Sequence, residues 1–227
     1  RGFLAFSTQV RSFMAWTLLL AAGQGNRLAS ATGGLAKQFL DWKGAPLYWE
    51  STLVFSRCAR VEGLVFVFPE ACIDEERERV AGLMRNASLG IPWKVVAGGA
   101  LRQDSVRNGL SALPDDCMEV LIHDAARPFV SPVLVNRILD GLHGEASGEC
   151  VAACIPGIPV VDTIKVMDEE KKVVATPDRK HLMAVQTPDP QFFAIEVKAV
   201  FFKNCIPDTE GNLCFVQKLF SLPELGL

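Results

Sequence analysis

Short, continuously apolar runs alternate with segments of helical spacing along most of this chain, and that alternation limits what it can fold into. Residues 16–22 (WTLLLAA), 64–68 (LVFVF), 91–96, 120–122 and 150–155 read as five strands. A sheet with one wet face would carry a polar residue at every second position; these runs do not, so both faces must be covered. Between them, residues 46–61 show helical spacing through Leu47, Leu53, Val54, Phe55 and Cys58, and residues 104–113 through Val106, Leu110 and Leu113. Residues 74–84 mix acids and bases and read as a helix with a solvated face. Ser131-Pro132 opens another helix, with a capping hydroxyl and a proline in its first turn. This β-α succession predicts an α/β domain with a mostly parallel sheet and helices on both faces.

The pattern changes after Pro156. Residues 158–167 and 172–175 look like two extended segments around the charged turn DEEKK, too polar for central strands. They predict a β-arm over about residues 156–180, projecting from a single domain of residues 14–227. Residues 1–13 carry two Arg and no acid, and are expected to be a poorly ordered extension ahead of a natural start near Met14; a transit peptide is the other reading. With a net charge of -3 the chain has no broad basic field, so nucleic acid is not expected as a partner. No apolar run reaches the roughly 18–20 residues of a membrane span. The seven cysteines are scattered without a C-x-x-C pair and read as reduced thiols, not a zinc site. A bacterial cytoplasm is the expected location, with a plastid as the alternative.

Ligands of open α/β sheets bind at the carboxyl ends of the strands, so the loops after each run are where chemistry is expected. The first is Ala21-Ala22-Gly23-Gln24-Gly25-Asn26-Arg27, followed by Lys37 in AKQFL. Small residues after a buried strand let backbone N–H groups approach a phosphate chain, while Arg27 and Lys37 bring charge to a transferred phosphoryl group. The loop is neither a P-loop nor a dinucleotide fingerprint, since Arg27 stands where the third glycine would be. By itself it fits a tight turn with surface cations as well. Gly98-Gly99 before a helix could floor a pocket for a flat base, or form a plain turn with Asp104 or Ser105 as the cap. In His123-Asp124-Ala125-Ala126-Arg127, a carboxylate at the end of a central strand suits Mg²⁺ beside a triphosphate; an Asp124–Arg127 ion pair is the plainer reading.

AAGQGNR, AKQFL, VAGGALRQDSVRNGL, HDAARPFVSP, IPVVDTIK, TPDR and AVQTP occur in this order from about residue 16 to residue 193. Together they resemble the 2-C-methyl-D-erythritol 4-phosphate cytidylyltransferase family. The resemblance implies a Rossmann-like nucleotidyltransferase fold, CTP and a polyol phosphate as substrates, Mg²⁺, and a homodimer whose arms reach into each other's sites. It implies that Ala21, Ala22, Gly23 and Gly25 line the CTP phosphates and that Gly99 and Ser105 contact cytosine and ribose. Arg27 and Lys37 match the pair that stabilises the transition state, and Asp124 matches the acid near the metal. Arg127, Asp162, Thr163, Lys165, Arg179 and Thr187 match positions on the acceptor side, with Arg179 orienting its attack.

Two features depart from the family pattern. The stretch LASATGGLA between Arg27 and Lys37 is longer than usual, with Ala36 where Pro is common. QTPDPQFF has two extra residues, and beyond about residue 198 the family's late Asn-x-Lys stretch is absent, since Lys203 and Lys218 do not stand in one. Two other functions therefore stay open at this point. One is a cytidylyltransferase for another polyol phosphate such as ribitol 5-phosphate, against which Ala126 and IPVVDTIK weigh. The other is a catalytically weakened CTP-binding protein.

Overall fold

The computed structural model describes residues 14–23, 35–143, 153–184, 197–201 and 217–221. The expected extension at 1–13 lies outside them. Strand β1 (Ala15–Leu20) is followed by a small ribbon of β2 (Asp41–Trp42) and β3 (Ala45–Pro46), then helix α1 (Tyr48–Ser56) and strand β4 (Val61–Phe68). Next come α2 (Ile73–Asn86), β5 (Trp93–Ala97), α3 (Arg102–Ser111), β6 (Glu119–Asp124) and α4 (Pro132–His143). The remaining strands are β7 (Ala153–Pro159), β8 (Val166–Met167), β9 (Val173–Ala175), β10 (Met183–Ala184), β11 (Val197–Phe201) and β12 (Gln217–Ser221).

The main sheet runs β10-β7-β11-β6-β1-β4-β5, with β12 also paired to β7. Strands β4 and β6 flank β1, both parallel to it, and β5 is parallel to β4. Strand β11 is antiparallel to both β6 and β7. The expected mostly parallel sheet is therefore present, with antiparallel members added towards one edge.

The apolar runs are continuous because the sheet is buried on both sides. Trp16, Leu18, Leu20, Val65, Val67, Val120 and Ile122 form one cluster, against which Val106 and Leu110 of α3 pack. Leu19, Leu64, Phe66, Phe68 and Leu121 face the other way, onto Tyr48 and Phe55 of α1, Val80 and Met84 of α2, and Leu134 and Ile138 of α4. Alternate residues of one strand thus enter two cores, as a period of two demands. Helix α3 can sit close because Gly109 faces the sheet: a Cβ there would stand 2.6 Å from a Leu18 methyl.

Local signals place the helices. The Ser131 hydroxyl accepts from the Leu134 N–H at 3.2 Å, and Pro132 is the first residue of α4. On α2, Arg77 pairs with Asp74 and Arg79 with Glu75, as expected of a solvated face. Glu76 departs from that expectation. It is buried, accepts from the Tyr48 hydroxyl at 2.8 Å and pairs with Arg79 at 2.9 Å.

The fifth strand is a correction. The sequence reading ends it at Ile155, ahead of the change of pattern after Pro156. Instead β7 continues through Pro159: β12 pairs along residues 153–157 and β10 takes Ile158 and Pro159. The arm hairpin is accordingly short, with Val166–Met167 paired to Val173–Ala175.

Burial holds the Glu76 carboxyl above its ordinary value of 4.5, with the Tyr48 hydrogen bond and Arg79 opposing that shift. The folded state therefore keeps this proton more tightly than the unfolded chain does, and ionisation subtracts stability as pH rises above 4.5. In urea unfolding, Glu76→Gln is expected to flatten the loss between pH 4.5 and the raised value. Tyr48→Phe, which removes the donor, is expected to cost roughly 1–3 kcal/mol at neutral pH.

Candidate active site

The order of strands reverses at β1: the chain winds outward from β1 to β4 and β5, then returns to lay β6 on the other side. That reversal opens a crevice at the carboxyl ends of β1 and β6, the usual place for a ligand in such a sheet. Register puts the strand ends level. Leu20 is opposite both Val67 and Asp124, and Phe68 is opposite Ala97. Single backbone bonds continue the ladder one step into the loops, from Ala21 N–H to the Val67 carbonyl, Gly98 to Phe68 and Ala125 to Leu20.

Ala21 is buried, Ala22 half-buried and Gly23 exposed, so the first loop climbs from the core to the surface within three residues. It is held from below by Gln38, whose side-chain amide donates to the Ala21 carbonyl at 2.6 Å and the Gly23 carbonyl at 2.7 Å. Gln38 belongs to a single 3₁₀ turn, Lys37–Phe39, and is 4% exposed, whereas Lys37 beside it is exposed. Phe39 seats that turn on the core, its ring 6.0 Å from Phe68 and 6.3 Å from Tyr48.

The second side of the crevice comes from the loop after β5. A Cβ at Gly98 would lie 2.3 Å from the Ala22 Cβ, so the two loops meet at a distance only glycine permits. The Gly99 N–H donates to the Ser105 hydroxyl at 3.1 Å, which joins the two residues expected to face the nucleoside. The N-cap residue of α3 is Leu101, not Asp104 or Ser105; Asp104 stands in the first turn, its carboxylate accepting from the Leu101 N–H at 3.1 Å. Ser105 is buried and Gly99 exposed.

Asp124 closes the third side. Its carboxylate lies between two guanidinium groups, Arg102 Nη2 at 2.8 Å and Arg127 Nε at 3.6 Å. The expected Asp124–Arg127 pair is there, and Arg102 joins it from the start of α3. The turn that carries Arg127 is fixed from within the core: buried His123 places Nε2 3.0 Å from the Arg127 carbonyl, and the Arg127 N–H donates to the Asp124 carbonyl. Among the described residues, no group of three His, Cys, Asp or Glu side chains converges as a metal cage.

The arm leaves the same carboxyl edge, from β7. Asp162, Thr163, Lys165 and Arg179 are all exposed on it. Arg179 donates to the Val161 carbonyl at 2.6 Å and Lys165 to the Thr176 hydroxyl at 2.8 Å, so both bind within the arm. The structure thus brings Ala21, Ala22, Gly23, Lys37, Gly99, Ser105, Asp124 and Arg127 to one edge of the sheet, and carries the arm residues out from that edge. Gly25, Arg27 and Thr187 lie outside the described residues.

Gln38 and Arg102 were not singled out by sequence reasoning. Each stands inside a quoted motif, AKQFL and GGALRQDS, yet its partners are 15–22 residues away and nothing local marks an inward-facing amide or a carboxylate-bound Arg.

Residues 15–209 match the IspD family, 2-C-methyl-D-erythritol 4-phosphate cytidylyltransferase. A protein of Oleidesulfovibrio alaskensis named bifunctional enzyme IspD/IspF is 50% identical over 190 residues, which are 84% of this chain and 46% of that protein. A 2-C-methyl-D-erythritol 4-phosphate cytidylyltransferase of Clostridium botulinum is 36% identical over 171 residues, 75% of this chain and 69% of that one. The chain therefore spans under half the length of the bifunctional relative. The crystal structure of 4-diphosphocytidyl-2C-methyl-D-erythritol synthase from Anaerococcus prevotii has the same fold, with a TM-score of 0.67 at 18% identity, covering 92% of this chain and 89% of that one. With this fold, this arrangement of loops and a match over most of its length, the chain belongs to the 2-C-methyl-D-erythritol 4-phosphate cytidylyltransferase family.

Proposed function

We propose that this domain transfers CMP from CTP to 2-C-methyl-D-erythritol 4-phosphate, giving CDP-methylerythritol and pyrophosphate. The observation that carries the reading is the meeting of three strand-end loops at the switch point, with Ala22 against Gly98 and Asp124 level with Leu20. In this reading the triphosphate lies along Ala21, Ala22, Gly23 and Gly25, with cytosine and ribose at Gly99 and Ser105.

The acceptor phosphate is already anionic near neutral pH and needs no general base. One of its oxygens attacks the α-phosphorus, the bond to the β-phosphate breaks, and pyrophosphate leaves with the electron pair. Catalysis then reduces to alignment and charge neutralisation, the roles given to Arg27 and Lys37. The described cysteines suit this, because burial pushes the Cys154 thiol up to about 12 and raises Cys117 as well, so neither offers a thiolate. All four described cysteines are free thiols, which fits the cytoplasm.

Mg²⁺ fits the donor set as an ion carried mainly by the triphosphate. Such an ion takes one or two carboxylates from the protein and keeps the rest of its shell in phosphate and water. Asp124 would hold it, exchanging a guanidinium partner for the metal, and the ion would neutralise charge on the phosphates. Arg102 and Arg127 hold that carboxylate at the strand end, and a released guanidinium can turn to a phosphate oxygen.

The proposal includes a homodimer. Val161, at 77% exposure, and Val166, Met167, Val173 and Val174 leave the arm with a large apolar surface facing water. A second copy would cover it and take Asp162, Thr163, Lys165 and Arg179 to the neighbouring crevice.

The test is pyrophosphate release from CTP and Mg²⁺ with methylerythritol 4-phosphate, beside ribitol 5-phosphate and no acceptor. Release with the first acceptor alone is expected; equal release with ribitol 5-phosphate would assign another polyol, and CTP binding without release would make this a binding protein. Lys37→Ala and Arg27→Ala are each expected to lower turnover by about a hundredfold or more while CTP affinity changes only a few-fold. Equal losses in both would remove their transition-state role. Arg179→Ala is expected to raise the acceptor KM roughly tenfold at unchanged CTP affinity, and a clear loss of CTP binding would contradict its place on the acceptor side.

A further inference from the structure

Gln38 is a buried side chain that joins the first loop to the turn carrying Lys37. Both of its partners are carbonyl oxygens, so the group facing them must be the NH₂, and its two protons are fully used. A planar trans peptide has its N–H opposite its C=O. With the Ala21 carbonyl drawn down to Gln38, the Ala22 N–H of the same peptide points the opposite way, away from Gln38. The Ala21 N–H is taken by the Val67 carbonyl at 2.8 Å, which fixes the preceding peptide as well.

We infer that Gln38 is a positioning residue for an anionic ligand of the first loop. It holds two carbonyl dipoles inward, keeps them away from a phosphate chain, and leaves the donor side of the loop outward. The same amide fixes the distance between that loop and Lys37, because Lys37 and Gln38 are successive residues of one turn. Loop geometry and cation placement are therefore set by one side chain. This inference rests on the CTP reading above and adds to it a residue that contacts neither substrate.

Three variants separate this role from packing. Gln38→Leu keeps volume and removes the donors. Gln38→Glu keeps shape and replaces the donors with lone pairs aimed at two carbonyls. Leu142→Ala, buried near the far end of α4 and away from the Lys37–Phe39 turn, serves as a control for loss of stability alone. The readouts are CTP Kd on the folded fraction, kcat and KM for CTP and acceptor separately, and amide exchange of Ala21.

Both Gln38 variants are expected to weaken CTP binding at least about tenfold, Gln38→Glu no less than Gln38→Leu, with the acceptor KM within about threefold of the parent. Ala21 is expected to exchange faster in both. A packing role predicts the reverse order, with the isosteric Gln38→Glu mild, and any loss in kcat alone as inactive protein accumulates. Parent-like CTP affinity and parent-like Ala21 exchange in Gln38→Leu would overturn the inference. If the parent protein itself fails to bind CTP, the cytidylyltransferase reading falls, while Ala21 exchange still decides whether Gln38 sets the loop.

Discussion

Strand β1 is hydrogen-bonded along its whole length to β4 on one side and β6 on the other, in parallel register that ends level at Leu20, Val67 and Asp124. Everything that serves as a site depends on that alignment. A one-residue slip of β1 would exchange Leu18 and Leu19 between the two cores and move Ala21 away from its bond to Val67. The two-sided burial that forbids such a slip is also what holds three independent loops at one edge. Precision at the crevice is thus inherited from packing in the sheet.

Above that edge the architecture depends on short approaches and inward-facing polar groups. Gly98 lets two loops touch, Gln38 ties the first of them to the core, and His123 fixes the turn that carries Arg127. Arg102 and Arg127 pair with a carboxylate and orient it at a strand end, where an unpaired acid beside a polyphosphate would repel it. The described residues of the site are therefore neither a bare cluster of cations nor a group of three metal-ligating side chains. Among the described residues the site is a frame in which Asp124 is paired with Arg102 and Arg127, a pairing that the proposed triphosphate and metal would exchange.

Much of this was legible in the sequence because it rests on local pattern. The runs at 16–22 and 64–68 announced strands buried on both faces, and Ser131-Pro132 announced the start of α4. The residues of the first, third and fourth loops were readable because they directly follow such runs. What escaped depends on partners far along the chain. On local pattern the fifth strand ends at Ile155 and a separate arm starts after Pro156, yet β7 runs on to Pro159 because β12 and β10 supply pairing that no local window reveals. Glu76 looked like one more charge on a solvated helix until Tyr48, 28 residues earlier, was found beside it. Gln38 gave no signal, since an amide between Lys and Phe reads as surface. The segment around 186–193, where the family spacing is broken, lies outside the described residues, as do Arg27 and Thr187.

A crystal structure of the protein with CTP and Mg²⁺ tests the central claim most directly, because the claim is about where a triphosphate lies. The expected result puts the phosphates against Ala22 and Gly23 with the base toward Gly99 and Ser105, and Asp124 turned from Arg102 to the metal. A nucleotide seated elsewhere, for instance in the open crevice of about 150 Å³ between Leu110 and Val120 below the opposite edge, would contradict it.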